Sequence, residues 1–204
     1  MKFAPDGYFF MSAVAAVTLL LAWLSRWTLI VMLPLAALAF WFFRDPERTP
    51  EGAGLVSPAD GEVIEICETE HPYTGKALKI GIFMNVFSVH VNRMPSAGTI
   101  EYLEYVPGKK WFANADKASL ENERMYVGYS SEDGPVLLTQ IAGLVARRIV
   151  CRLKKGDRLE RAQRFGMIKF GSKVDVYLPL SLKCTAKVGQ KVTAGQTVVA
   201  VRER

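Results

Sequence analysis

Gly171-Ser172 stands at the entrance to the strand-like run Lys173-Val174-Asp175-Val176-Tyr177-Leu178. A serine in that position has a special chemical option, because its hydroxyl can attack the carbonyl of the residue before it. Glycine there carries no Cβ to obstruct the attack and tolerates backbone angles that other residues resist. The amide becomes an ester, and β-elimination then cuts the chain. The serine remnant becomes dehydroalanine and hydrolyses to a pyruvoyl group on the new N-terminus. Most Gly-Ser pairs are turns, so this one gains meaning only from the residues around it.

The chain has two histidines. His71, in Glu70-His71-Pro72-Tyr73-Thr74-Gly75, reads as a surface loop. His90 lies in Phe83-Met84-Asn85-Val86-Phe87-Ser88-Val89-His90-Val91-Asn92-Arg93-Met94-Pro95. Alternation along that stretch sets Phe83, Asn85, Phe87 and Val89 on one face of a strand, with Ser88, His90 and Asn92 on the other. A lone strand histidine is more often structural than catalytic, yet this one heads a polar cluster where a sheet face wants apolar residues. Its pKa suits it to give and take protons. Asp60, in Pro58-Ala59-Asp60-Gly61, is either an ordinary turn aspartate or a carboxylate that orients and charges His90. Asp60, His90 and Ser172 also permit a Ser-His-Asp hydrolase, since such triads occur in any chain order. No Gly-x-Ser-x-Gly elbow surrounds Ser172, however.

The elements that must position these residues are mainly β. Short runs rich in β-branched and aromatic residues occupy Val63–Cys67, Leu78–Met84, Thr99–Val106, Met125–Tyr129, Val136–Gln140, Val174–Leu178 and Val198–Val201, with Gly, Pro, Asp and Asn between them. Asp116–Arg124 permits a helix or a polar loop. Ile141–Leu153 fits two strands or a strand and a turn. Ser57–Val63 opens the domain, and Val188–Val198 closes it with Gly-x-x-Val-x-x-Gly-x-x-Val spacing. That spacing resembles the hairpin of biotinyl/lipoyl-type hybrid barrels. The expected fold is a hybrid-motif β-sandwich or barrel whose beginning and end pack together, bringing the Asp60 loop toward the segment that starts at Ser172.

Ahead of this domain, Arg26 is the single charge between Gly7 and Phe43. Each half of the stretch, Tyr8–Ser25 and Trp27–Phe43, is near the short limit of the roughly 17–25 apolar residues a spanning helix needs. One tilted span with an interfacial half fits. So does a helical hairpin turning at Leu24-Ser25-Arg26-Trp27. Trp23, Trp27, Trp41, Phe42 and Phe43 suit interfacial depth. A signal peptide competes, but Asp6 and the long apolar stretch disfavour it. Residues 1–43 are therefore read as an anchor and 44–204 as the β-rich domain, after the break Arg44-Asp45-Pro46-Glu47-Arg48.

The net charge is +6, with a basic excess between Arg147 and Lys173. Next to an anchor, that excess fits an anionic bilayer better than nucleic acid; a solvated face is the bland alternative. Cys67, Cys151 and Cys184 show neither metal spacing nor a disulfide framework, so reduced thiols on the cytoplasmic side are expected.

Four blocks together resemble the short, membrane-anchored class of phosphatidylserine decarboxylases: Phe43-Arg44-Asp45-Pro46-Glu47-Arg48, Ser57-Pro58-Ala59-Asp60-Gly61, Phe83 to Arg93, and Phe165 to Asp175. The resemblance implies self-cleavage into 1–171 and 172–204, which stay associated. It also implies a pyruvoyl cofactor derived from Ser172 with no metal, and decarboxylation of phosphatidylserine to phosphatidylethanolamine through a Schiff base with that group. His90 then reprotonates the carbanion, and Asn92 or Arg93 holds the phosphate or carboxylate. The implied partners are the phospholipid and an anionic membrane surface, at the cell membrane with the domain on its cytoplasmic side; a homo-oligomer is left open. The chain departs from longer relatives in two places. Lys173 follows the serine where they carry threonine, and Arg93 stands where they carry a second histidine. Either His90 serves both maturation and decarboxylation, or maturation uses another base. The alternative functions are an archaeal-type ether-lipid serine decarboxylase, a membrane Ser-His-Asp hydrolase, and a non-enzymatic hybrid-barrel adaptor.

Overall fold

The structure is a computed structural model that describes residues 2–109, 111–112, 118–143, 148–169 and 171–203. It forms two compact units, Met1–Glu47 and Arg48–Arg204. In the first, α1 (Tyr8–Leu24) and α2 (Leu29–Phe42) are joined by extended Ser25 and a tight turn over Arg26–Thr28. The Thr28 hydroxyl donates to the Ser25 carbonyl at 2.7 Å and fastens that reversal. At the far end Ala4 N–H donates to the Phe43 carbonyl and Asp45 N–H to the Lys2 carbonyl, each at 2.8 Å. The chain therefore doubles back as a helical hairpin within this unit. Only Met11 and Thr18 of α1, and Ala39 and Phe42 of α2, are buried. Both helices are thus apolar on nearly every face, as a lipid environment demands. The buried hydroxyl of α1, on Thr18, is satisfied by the Val14 carbonyl at 2.8 Å. Pro5–Leu24 is long and apolar enough to cross a membrane.

The second unit contains, in chain order, β1 (Leu55–Val56), β2 (Gly61–His71), β3 (Gly75–Met84), β4 (Val91–Arg93), β5 (Gly98–Val106), α3 (Ala118–Glu121), β6 (Arg124–Ser131), β7 (Gly134–Ala142), β8 (Arg148–Cys151), β9 (Arg158–Leu159), β10 (Arg164–Lys169), β11 (Ser172–Pro179), β12 (Leu182–Cys184), β13 (Lys191–Val192) and β14 (Val198–Arg202). Eight strands make one curled sheet in the order β13-β2-β3-β11-β7-β6-β5-β9. Two three-stranded sheets, β1-β14-β12 and β4-β10-β8, complete the unit. Among the described residues every pairing between these strands is antiparallel. The fold is mainly β, as expected, and each of the seven strand-like runs lies inside a strand.

Beginning and end meet as the paired glycine motifs predicted. β1 pairs with β14 and β13 with β2. The Ser57 carbonyl takes the Gly195 N–H, and the Thr197 carbonyl takes the Ser57 N–H, both at 2.8 Å. The core between the sheets holds Ile80, Ile82, Met84, Val127, Tyr129, Leu138, Phe165, Val174 and Val176. Period-2 alternation sends Ser172, Val174 and Val176 to this core and Lys173, Asp175 and Tyr177 to the other face of β11.

One local reading changes and two open ones narrow. Phe83–Pro95 is not one strand: β3 ends at Met84 and β4 starts at Val91. Between them Asn85 Oδ1 accepts the Phe87 N–H at 2.9 Å and the Asn85 carbonyl accepts the Ser88 N–H, an asparagine turn that overrides the alternation. In Asp116–Arg124 the helix is confined to α3; Asp116 and Lys117 lie outside the described residues. Ile141–Leu153 contributes the end of β7 and then β8, with 144–147, including Arg147 of the basic run, also outside them.

Candidate active site

Ser172 is the first residue of β11, the strand flanked by β3 and β7. It stands opposite Met84 on one side and Ala142 on the other. Its side chain is fully buried, with Oγ 3.3 Å from Met84 Sδ. Asn92 Nδ2 approaches the same sulfur at 3.9 Å, and Gln140 Nε2 donates to Asn92 Oδ1 at 2.8 Å. Asn92 and Gln140 are also fully buried. Ser172 and Asn92 are therefore brought together around one methionine. Gln140 was missed in the sequence, although a glutamine ending the apolar run Val136–Leu138 was a visible signal.

Gly171 adopts the left-handed region at φ 63°, which costs other residues about 1–2 kcal/mol. Its carbonyl oxygen accepts the Gly143 N–H at 2.8 Å. This is the carbonyl a Ser172 attack would strike, and the N–H is aimed where negative charge would gather on the oxygen. No side-chain pattern could have revealed Gly143, because it acts through its backbone. Phe170 lies outside the described residues.

His90 is buried just before β4. Its Nδ1 lies 2.9 Å from the Ser88 carbonyl. A carbonyl only accepts, so Nδ1 carries a proton, which leaves proton exchange to Nε2. The His90 carbonyl takes the Ile168 N–H at 3.3 Å, tying the residue to β10, the strand that runs toward Gly171.

Asp60 is held by hydrogen bonds from three directions. Arg48 grips both its oxygens, the Ala194 N–H donates to Oδ1 at 2.8 Å, and the Val89 N–H donates to Oδ2 at 3.3 Å. It thus fixes the backbone immediately before His90 and reaches the segment after Ser172 at Ala194. Arg93 is buried, and its Nη1 donates to the Ala162 carbonyl at 3.1 Å beside Gly195. His71 packs among Tyr102, Tyr126 and Tyr177, and burial lowers its pKa. It belongs to an aromatic cluster rather than to a surface loop.

The opposite face of β11 carries an ionic cluster. Lys173 Nζ lies 3.0 Å from Glu65 Oε2, 2.9 Å from Ser119 Oγ and 3.1 Å from Asp175 Oδ1; Ser119 Oγ donates to Asp175 Oδ2 at 3.0 Å. Lys79 Nζ holds Glu65 Oε1 at 2.8 Å. Burial raises the Glu65 carboxyl, but the hydrogen bonds and charges of Lys79 and Lys173 outweigh it and bring the pKa down to about 2. Burial pushes Asp175 up, against the pull of both lysines. A Cβ on Gly81 would fall 2.7 Å from Lys173 Cε, so glycine makes room for the lysine stem. Lys173 is accordingly inside the fold and not part of an outward basic run. Arg161, from the same run, donates to the Gly52 carbonyl at 2.8 Å, whereas Arg152, Lys154, Lys155 and Arg158 face solvent.

A pyruvoyl group at position 172 fits these surroundings. The amine of Lys173, a nucleophile that would condense with a neighbouring ketone, is engaged by carboxylates on the opposite face of the strand. Cys67, Cys151 and Cys184 are free thiols whose pKa values burial raises. Among the described residues no group of three His, Cys, Asp or Glu side chains could hold a metal ion.

Comparison with known proteins converges on one family. The family model described as phosphatidylserine decarboxylase matches residues 35–200. A protein of Nitratidesulfovibrio vulgaris named phosphatidylserine decarboxylase proenzyme is 50% identical over 98% of this chain and 94% of its own length. Proteins of the same name from Oleidesulfovibrio alaskensis and Syntrophus aciditrophicus are 46% and 47% identical, over 98% and 95% of this chain and 94% of their own lengths. With Gly171-Ser172, His90 and Asn92 placed as above, the chain belongs to the phosphatidylserine decarboxylase family.

Proposed function

We propose that the chain is a proenzyme that cuts itself between Gly171 and Ser172 and then converts phosphatidylserine to phosphatidylethanolamine. The observation that carries the reading is the junction itself: a left-handed glycine whose carbonyl oxygen takes the Gly143 N–H, followed by a buried serine at a strand start. Ser172 Oγ attacks the Gly171 carbonyl carbon, a C–O bond forms, and the C–N bond breaks to leave an ester and a free amine. Gly143 N–H stabilises the oxyanion on the way. Loss of the residue-172 Cα proton expels Gly171 as a carboxylate. Water then replaces the nitrogen, releasing ammonia and leaving the ketone.

That pyruvoyl ketone supplies the electrophile for the substrate amine and the electron sink for loss of CO₂. The chain's own residues do the rest. His90 Nε2 holds the proton returned to the substrate carbon and is also the candidate base for maturation. Asn92, oriented by Gln140, offers its amide Nδ2 to the substrate's acidic groups. Asp60 acts as a positioning residue, through the Val89 backbone. Arg93, whose Nη1 donates to the Ala162 carbonyl, is the second candidate for holding the substrate's phosphate or carboxylate. The N-terminal hairpin, residues 1–43, holds the 44–204 domain at the membrane on the cytoplasmic side, and the pieces 1–171 and 172–204 remain associated.

Intact-mass measurement on the purified protein tests this directly. The native chain gives two masses, the smaller with a pyruvoyl group in place of Ser172. The Ser172→Ala variant gives one full-length mass and forms no phosphatidylethanolamine. A Ser172→Ala chain cut at the same bond refutes the proposal.

A further inference from the structure

The end of the eight-stranded sheet where Ser172 lies carries two exposed apolar tips, one on each side of β11. On the β3 side the chain leaves Met84 and turns through Val86 and Phe87, whose relative exposures are 44% and 65%. On the β7 side stand Trp111 and Phe112, exposed by 48% and 64%. These are not loose side chains. Trp111 N–H donates to Asn122 Oδ1 at 2.8 Å, and Asn122 Nδ2 donates to the carbonyl of Ala142, the cross-strand partner of Ser172, also at 2.8 Å. Asn122 is fully buried. Ser119, from the same connection between β5 and β6, is locked to Lys173 and Asp175. The scaffold is polar bonding, and what it presents outward is apolar.

Folding gains nothing from holding two apolar pairs in water, so their exposure points to a partner. The flanking chemistry identifies it. The Trp111 ring has its one polar atom, Nε1, satisfied by Glu121 at 2.9 Å and Lys109 Nζ 5.8 Å from its centroid. Tryptophan with a satisfied N–H and a cation alongside is the arrangement of the bilayer interface. Arg148 and Lys169 stand directly opposite each other across β8 and β10, close before Gly171. Like charges in register disfavour a strand pair, whereas together they suit anionic headgroups.

We infer that Val86-Phe87 and Trp111-Phe112 form a two-sided wedge that seats the Ser172 end of the sheet in the interfacial layer of a phospholipid bilayer. The inference rests on the decarboxylase reading and gives it a geometry. The reacting amine and carboxylate of a serine lipid lie at headgroup depth. A sheet end bracketed by shallow aromatic tips meets them there, without extracting the lipid into water.

The test uses the full chain in vesicles that contain phosphatidylserine. The protein has four tryptophans; replacing Trp23, Trp27 and Trp41 with Phe leaves Trp111 as the sole reporter. Lipids brominated near the headgroup end of the acyl chain should quench Trp111 and shift its emission to the blue. Phe87→Ser combined with Phe112→Ser should self-cleave like the native chain and keep its rate on a short-chain, monomeric serine lipid. On bilayer substrate its kcat/KM should fall by about tenfold or more, given the apolar surface removed. An active, cleaved protein whose Trp111 is not quenched overturns the wedge while leaving the decarboxylase reading intact. So does a blue shift that tracks protein concentration and not lipid, which would assign the tips to a second copy of this chain. An uncleaved, inactive native protein instead refutes the decarboxylase reading.

Discussion

Gly171→Ala isolates the backbone's share of self-cleavage from that of the serine. A Cβ built on Gly171 meets nothing within 4 Å, so the substitution adds no clash. What it adds is the left-handed penalty of about 1–2 kcal/mol at φ 63°. The variant can avoid that cost by rotating into a right-handed or extended conformation, which swings the 171 carbonyl away from the Gly143 N–H. The productive conformer then falls to roughly one part in 5–30 of its native share, since 1.36 kcal/mol is tenfold. Self-cleavage should slow by the same factor, with the final extent unchanged. Asparagine visits the left-handed region more readily, so Gly171→Asn should recover most of the lost rate. The assay is a time course of full-length and cut chain on a denaturing gel after synchronised cell-free synthesis. Thermal melting of the Ser172→Ala form of each variant serves as a check on folding. Gly171→Ala cutting at native speed would show that the left-handed carbonyl geometry plays no part in the reaction.

Two further outcomes follow from the ionic contacts. Asp60→Ala strands the Arg48 guanidinium, whose side chain is only 7% exposed, and should cost about 3–5 kcal/mol; Arg48→Met in the same chain should restore much of it, as read from urea midpoints in a double-mutant cycle. Glu65 has its pKa lowered from 4.5 to about 2 in the folded protein, so its contribution is complete above the unfolded value and fades as pH falls through this range. The stability difference between the native chain and Glu65→Gln should therefore be constant near neutrality and shrink below about pH 4.5; a difference that stays flat down to pH 2 would remove Glu65 from the acid response.

Much of this was legible beforehand because it is written in side chains. Strands such as Val174–Leu178 advertise themselves through β-branched residues, and the Gly189–Gly195 spacing located the closure of the chain on itself. Ser172 was picked out by the glycine before it and Asn92 by the polar face it shares with His90, and the structure puts both beside Met84. What escaped reading is of two physical kinds. Backbone groups have no sequence signature, so the Gly143 N–H and the Val89 N–H on Asp60 were invisible. Charge counting along a chain also cannot tell an inward from an outward side chain. Lys173 looked like the end of a basic surface, yet strand alternation and the room left by Gly81 turn it into the fold. The Asn85 turn shows a third limit: a single side-chain-to-backbone bond outweighed a perfect alternation.

The place of the Gly171–Ser172 bond in the sheet also bears on how the protein can be made. β11 lies between β3 and β7, and the chain beyond it supplies β12, β13 and β14, which reach every strand of the β1 sheet and one edge of the large one. An uncut chain assembles all of this as a single molecule, with the ends of β11 tethered. Once the bond is broken, the same architecture is a complex of two peptides, and regaining it from the denatured state requires them to find each other at a finite concentration. The central strand of the smaller peptide would meanwhile be an unpaired, apolar β-segment in solution, prone to pair with others of its kind. On the proposed cleavage, folding would have to come first, and denaturation of the cut form would be a one-way event. Its lifetime would then be governed by the rate at which β11 leaves the sheet rather than by an equilibrium.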